Sequence, residues 1–404
     1  MVYRYIVSFV LFLGVYMPAN AQTGCTDPAA TNYNPLATTN DGSCIYPVTS
    51  YSPLFRAKLN PIITETSGLV WTDGKLWTHN DSGNPAEMYS VDTLTGATLQ
   101  TVDIDNYPNI DWEDITADSN YIYLGDHGNN KGTRTDLKVL KIAKADIGTG
   151  SVVHVNAQAI AFSYTDQTSF VSSSTNNFDC EALISIKDSL YIFTKDRGDM
   201  QTRVYKMPKV PGTYALTPYT NYNVAGLITG ADYNSTTGEI VLIGYLSGHV
   251  SSFLWFLNDY AGDMFFSGNK RRIEIGSSST EWQTEGVAWQ SPSRIFISNE
   301  TAGTIDASVY ISAKPAVPTT AVKNVTNTLA CDVFPNPASG VLYVDNLLSP
   351  ATYTVTSIAG KVIEKGNLEA GNNNLIISNY PPGIYIINMA AQDGTTSVAR
   401  FTKQ

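Results

Sequence analysis

Three glutamates, Glu113, Glu181 and Glu285, each open an apolar run that reads as a β-strand. Glutamate is a poor strand former, so three at equivalent places need a reason beyond propensity. Either they ligate a metal or they accept hydrogen bonds from neighbouring backbone NH groups. Asp111 and Asp179 stand two residues ahead of the first two. Elsewhere stand Asp81, Asp126 and Asp196, each followed by x-Gly, and the pair Asn299-Glu300, which with Asp81 and Asp196 are candidate ligand-binding residues. Those aspartates are either ligand-binding groups or ordinary turn residues. Carboxylates brought together repel and rise in pKa unless a cation compensates them. Calcium is the expected ion, since it takes roughly six to eight oxygen ligands in loose geometry. His127, next to Asp126, is the candidate catalytic base or a proton shuttle on metal-bound water; its other reading is a polar turn residue. The chain has no GxSxG, HExxH, GxGxxG or GxxxxGK[ST] motif, so hydrolase-elbow, zincin, Rossmann and P-loop chemistry are not expected.

The elements that must position these groups come from a repeat. Five stretches, starting at Ser67, Glu113, Glu181, Thr229 and Glu285, share one pattern, as in SGLVWTDGKLWTHNDSGN and EDITADSNYIYLGDHGNN. Each has a small or acidic residue, an alternating strand, a turn, a second strand and a polar turn, usually with Gly. Intervals of about 45–70 residues match a four-stranded blade with loop insertions. The expected fold is therefore all-β, a five-bladed β-propeller over residues 54–313, with six blades if the long second interval hides another. Residues 137–142, 158–162 and 204–207 should supply later strands, and 54–59 should complete the last blade beside 308–312. In such a blade the first strand begins and the second ends at one face, beside the central channel. The acidic residues should then ring one mouth.

The blade signature is similar to that of calcium-dependent hydrolases on this fold, such as apyrase-like nucleotidases and esterase-like phytases. That likeness implies a secreted phosphoesterase, esterase or lactonase. The other reading is a mouth that binds a ligand or partner, and an acidic mouth suits phosphate substrates poorly unless bound metal inverts its charge.

The whole chain has 404 residues, 25 basic against 36 acidic, and a net charge of −11. A nucleic-acid backbone needs a basic footprint, so that class of partner is not expected. Residues 1–21 read as a signal peptide, with Arg4, an apolar run from Ile6 to Val15, and an Ala19-Asn20-Ala21 cleavage site. No later apolar run approaches the length of a transmembrane segment. In an oxidising compartment Cys25 and Cys44 should pair, closing a short module over 22–53. Cys180 and Cys331 should stay free. Asp27, Asn40 and Asp41 in that module are either calcium ligands or, preferably, Asx turns.

Residues 314–330 are rich in Pro, Thr and Ala and read as a linker. Beyond it, short β-runs alternate with turns. Phe334-Pro335-Asn336-Pro337, then Tyr353 to Lys361 ending in Ala359-Gly360-Lys361, then Pro382-Gly383-Ile384-Tyr385 with Gly394 and the terminal Arg400-Phe401-Thr402-Lys403 occur in order. Residues 331–404 thus resemble the type A C-terminal sorting domain of the type IX secretion system, although Ser357 stands where the family often has Asp. The resemblance implies a small β-sandwich recognised by the outer-membrane translocon and cut by its sorting peptidase. It also implies an extracellular or surface-attached cargo.

Overall fold

The computed structural model describes residues 22–277, 281–314, 329–358, 360–392 and 395–404. The expected signal peptide, nearly all of the linker, Ala359 and Gly394 lie outside the described residues. The chain divides into two compact units, 1–319 and 320–404. Among the described residues, secondary structure in both is β, apart from one short 3-10 turn, Lys144–Asp146.

Among the described residues, the Cys25–Cys44 module adds a two-stranded pair, Thr23–Gly24 with Thr39–Asn40, and five sheets of four or five strands build the body of the first unit. Their innermost strands are Thr66–Thr72, Trp112–Ala117, Cys180–Ile186, Leu227–Asn234 and Thr284–Ser291. Each pairs antiparallel with the strand that follows it. The inner strands of successive sheets pack side by side, and the fifth packs against the first. This propeller-like arrangement buries the inner strands on both faces, as in Thr66–Val70 and Thr284–Trp289. Polar residues such as Thr66, Thr229 and Thr284 are buried there beside the apolar ones.

The other strands close the edges. Leu54–Lys58 pairs with Ser308–Ala313 and completes the fifth sheet from the opposite end of the chain. Val152–Val155 adds a parallel outer strand to the first sheet, and Gly212–Leu216 does so for the second. Both are lent by the chain segment that belongs to the following sheet. Such caps hide backbone groups that would otherwise recruit another chain.

The Cys25–Cys44 disulfide forms, while Cys180 and Cys331 are free. Asp27, Asn40 and Asp41 each accept a backbone NH two residues on, from Ala29, Gly42 and Ser43. They are Asx turns. Asn40 also reaches Asp259 and Asn269, both at 2.8 Å, which docks the module on the fourth sheet. Thr49–Tyr51 continues this docking by pairing with Glu274 at that sheet's edge.

The second unit holds a three-stranded and a four-stranded sheet. Alternating burial along Gly383–Ala391 fits a sheet covered on one face. Leu342, Val344, Val355, Ile387 and Phe401 meet in one apolar core between the two sheets. Both X-Pro bonds of Phe334-Pro335-Asn336-Pro337 are cis.

Candidate functional site: an acidic mouth built on five bulges

Every inner strand of the first unit breaks register at the same place. The shifts fall between Thr66 and Leu69, Trp112 and Ile115, Cys180 and Ala182, Ile228 and Gly230, and Thr284 and Val287. A bulge leaves one residue unpaired and re-aims its side chain. The residues so placed include Ser67, Glu113, Glu181, Thr229 and Glu285, the first residue of each sequence repeat. The second strand of each sheet supplies a matching set. One residue past the partners Asn80, Asp126, Thr194, Gly244 and Asn299 stand Asp81, His127, Lys195, Tyr245 and Glu300.

The bulge glutamates are buried: Glu113 is 4% exposed, Glu181 3% and Glu285 3%. Their surroundings differ. Glu181 accepts Lys195 Nζ at 2.5 Å and Arg197 at 3.2 Å, while Arg197 Nε donates to Asp179 at 2.7 Å. Lys195 also donates to the Tyr245 hydroxyl at 2.9 Å, and that hydroxyl donates to Glu285 at 3.3 Å. Glu285 Oε2 is buried with no hydrogen-bond partner. Burial raises Glu285 to about 7 despite the nearby Lys195. Glu300 takes a hydrogen bond from Gln283 at 2.5 Å, and burial, with Glu285 and Asp81 nearby, pushes it to about 10.

Glu113 has a weaker polar environment. Ser67 Oγ donates to it at 3.3 Å. Burial and the charges of Asp81, Glu181, Asp111 and Asp179 hold its carboxyl well above the ordinary range. Asp81, Asp111 and Glu113 each offer one oxygen, all within 4.8 Å of one another; Glu113, Asp179 and Glu181 form a second such group. Asp81 and Asp111 are half-buried, so the first group opens to solvent. Burial and the charges of Asp81 and Asp179 raise Asp111 to about 7. Gly128 makes room for this cluster: a Cβ there would lie 2.1 Å from Glu113 Oε1 and 2.6 Å from Asp111 Oδ2.

Other expected site residues lie elsewhere. Asp126 pairs with Arg134 and Lys138, both at 2.9 Å, and its Oδ1 also accepts the Asp111 backbone NH at 3.2 Å. His127 is wholly enclosed, with Nδ1 3.0 Å from the Cys180 carbonyl and Nε2 without a partner. Burial lowers its pKa to about 4. The structure thus brings neither half of the Asp126–His127 pair into the acidic cluster. Asp196 binds Arg203 at 2.5 Å. Asn299 uses its amide on the Glu300 and Asp306 carbonyls, at 2.6 and 3.2 Å, and so stitches its own turn. Of the D-x-G aspartates, only Asp81 joins the mouth.

Asp114 escaped the sequence reading. It follows Glu113, where the other repeats have Gly68, Ala182, Gly230 and Gly286. Its Oδ2 accepts the backbone NH of Leu183 at 2.8 Å and of Ala231 at 3.1 Å; its Oδ1 accepts that of Ile115 at 2.8 Å. A Cβ on Gly68 would lie 2.9 Å from Oδ1. One carboxylate therefore touches four of the five inner strands and fills the centre below the mouth. Lys195, Arg197 and Tyr245 escaped as well, because side-chain type changes from repeat to repeat at their positions.

The second unit defines the class of protein. Residues 332–404 match the family model "Secretion system C-terminal sorting domain". The chain accordingly carries a type IX sorting tail, which directs export across the outer membrane to the cell surface or the extracellular space. No described helix is long and apolar enough to cross a membrane. No curated protein matches the chain. Among solved structures it is similar to PorZ, a surface component of the type IX secretion system of Porphyromonas gingivalis, at 11% identity and a TM-score of 0.32. That match covers 90% of this chain and 48% of PorZ, so this chain spans about half of PorZ's length. The PQQ-bound aldose sugar dehydrogenase of Streptomyces coelicolor matches at 10% identity and a TM-score of 0.41, covering 66% of this chain and 99% of that one. A putative 6-phosphogluconolactonase of Bacteroides fragilis matches at 13% and 0.32, covering 78% and 88%.

Proposed function

We propose that the chain is an exported five-bladed propeller whose acidic mouth binds a divalent, oxygen-seeking cation at Asp81, Asp111 and Glu113 and, through it, an oxygen-rich ligand. The carrying observation is the contrast between the two carboxylate groups at the mouth. Asp179 and Glu181 already hold Lys195 and Arg197. Asp81, Asp111 and Glu113 crowd within 4.8 Å, and none of them forms an ion pair with a described Lys or Arg. Like charges so placed must bind protons or a cation.

Calcium fits this donor set best, because all three donors are carboxylate oxygens and no described imidazole or thiolate joins them. Three carboxylates leave part of its coordination sphere open. A ligand oxygen could complete it, with Arg197 and Lys195 alongside. The hydrolase alternative loses the base assigned to it, since the His127 imidazole is enclosed and bonded to a backbone carbonyl. Binding is the better-supported reading.

Thermal melting in EDTA and in calcium tests the proposal. Calcium at a hundred times its dissociation constant should add about 2.7 kcal/mol of stability. Asp111→Asn should remove that gain while leaving the melting temperature in EDTA unchanged or higher. An unchanged melting curve at millimolar calcium would sink the proposal.

A further inference from the structure

The opposite end of the first unit holds a separate cavity of about 640 Å³, walled by the inner hairpins of all five sheets. Its size lies in the roughly 300–1,000 Å³ range of small-ligand pockets. Asp114 fills the centre between this cavity and the acidic mouth.

The lining has an unusual balance for a chain of net charge −11. Lys144, Lys187 and Lys209 converge on it from two sheets. Lys144 is paired with Asp73 at 2.9 Å and Lys209 with Asp118 at 2.8 Å. The buried Asp232 spends its oxygens on the backbone NH groups of Trp289 and Tyr233, at 2.6 and 2.8 Å. Among the described residues Lys187 is left as the cation of the wall without a carboxylate partner, solvent-exposed at a hairpin tip with a φ of 52°. Lysine is a costly choice there, since left-handed backbone favours Gly or Asn. Trp71 and Tyr233, both half-buried, present aromatic surface to the same space.

We propose that this far-face cavity binds an acidic saccharide, a sugar unit bearing a carboxylate. One unpaired ammonium matches one monoanionic carboxylate. The aromatic surfaces suit the apolar faces of a sugar ring, and the polar lining residues Ser119, Ser235, Thr236 and Gln290 suit its oxygens. The site is independent of the cation site at the mouth.

Titration calorimetry of the purified chain with trigalacturonate, maltotriose and sodium phosphate, all in EDTA, provides the test. EDTA removes any contribution from the acidic mouth. Trigalacturonate should bind saturably, and maltotriose at least tenfold more weakly, because a charged hydrogen bond is lost. Lys187→Asn, which suits the left-handed backbone, should reduce trigalacturonate affinity by about tenfold or more. Trp71→Leu should weaken it too, and Glu113→Gln should leave it unchanged. Equal binding of maltotriose, equal binding of phosphate, no binding of trigalacturonate at millimolar concentration, or full affinity in Lys187→Asn would each overturn the proposal.

Discussion

Asp114 shows how much one side chain can do when a repeat is broken on purpose. Four repeats have Gly or Ala at its position, and the small residues leave the space its carboxylate occupies. Replacing it with Ala would strand three backbone NH groups in the interior, each costing roughly 1–3 kcal/mol. Urea unfolding of Asp114→Ala should therefore show a loss of about 3 kcal/mol or more; a loss under 1 kcal/mol would deny it this role. Asp232 offers a pH test away from the mouth. Burial raises its carboxyl from 3.8 to about 7, so its protonated form is favoured by folding. Its contribution is then full below about pH 4 and lost as pH rises through about 7. The stability of the parent minus that of Asp232→Asn should fall over that window, and the other titrating groups common to both proteins, such as the buried His127, cancel in the difference. A flat difference would contradict the assignment. At this scale the sequence was half legible. Glu113, Glu181 and Glu285 stood out because strands disfavour glutamate, whereas Lys195 and Tyr245 were hidden among unlike residues at equivalent positions.

At the scale of elements, repetition made the sheets readable. The five inner hairpins lie where the apolar alternation put them, and Leu54–Lys58 completes the fifth sheet as its position before the first repeat implied. Deleting 54–58 should expose the edge of Ser308–Ala313 and convert monomer to higher species in size-exclusion chromatography. A monomer with an unchanged melting temperature would show that closure is dispensable. The parallel caps Val152–Val155 and Gly212–Leu216 were not legible, since each belongs in sequence to one sheet and in space to its neighbour. The bulges were also hidden. One extra residue per strand does not disturb an apolar pattern, yet it decides which side chain faces the mouth. It leaves Glu113 in the carboxylate cluster, while Asp126, at the end of the adjoining strand, is paired with Arg134 and Lys138.

For the whole molecule, the chain joins a β unit with two unlike ends to a sorting tail. The tail was the most legible part, because its motifs are local and ordered. Removal of 332–404 should leave the protein in the periplasm, checked by fractionation of cells and medium; normal surface delivery would contradict the family match. The acidic end has a geometry that only the folded chain reveals, as Asp81, Asp111 and Glu113 come from two sheets. The occupant proposed for them is a cation. Calorimetric titration of the EDTA-stripped chain with calcium tests it most directly. Saturable binding of one ion in the parent and at least a tenfold loss of affinity in Asp111→Asn are expected. Absence of binding at millimolar calcium, or equal affinity in the two proteins, would contradict it.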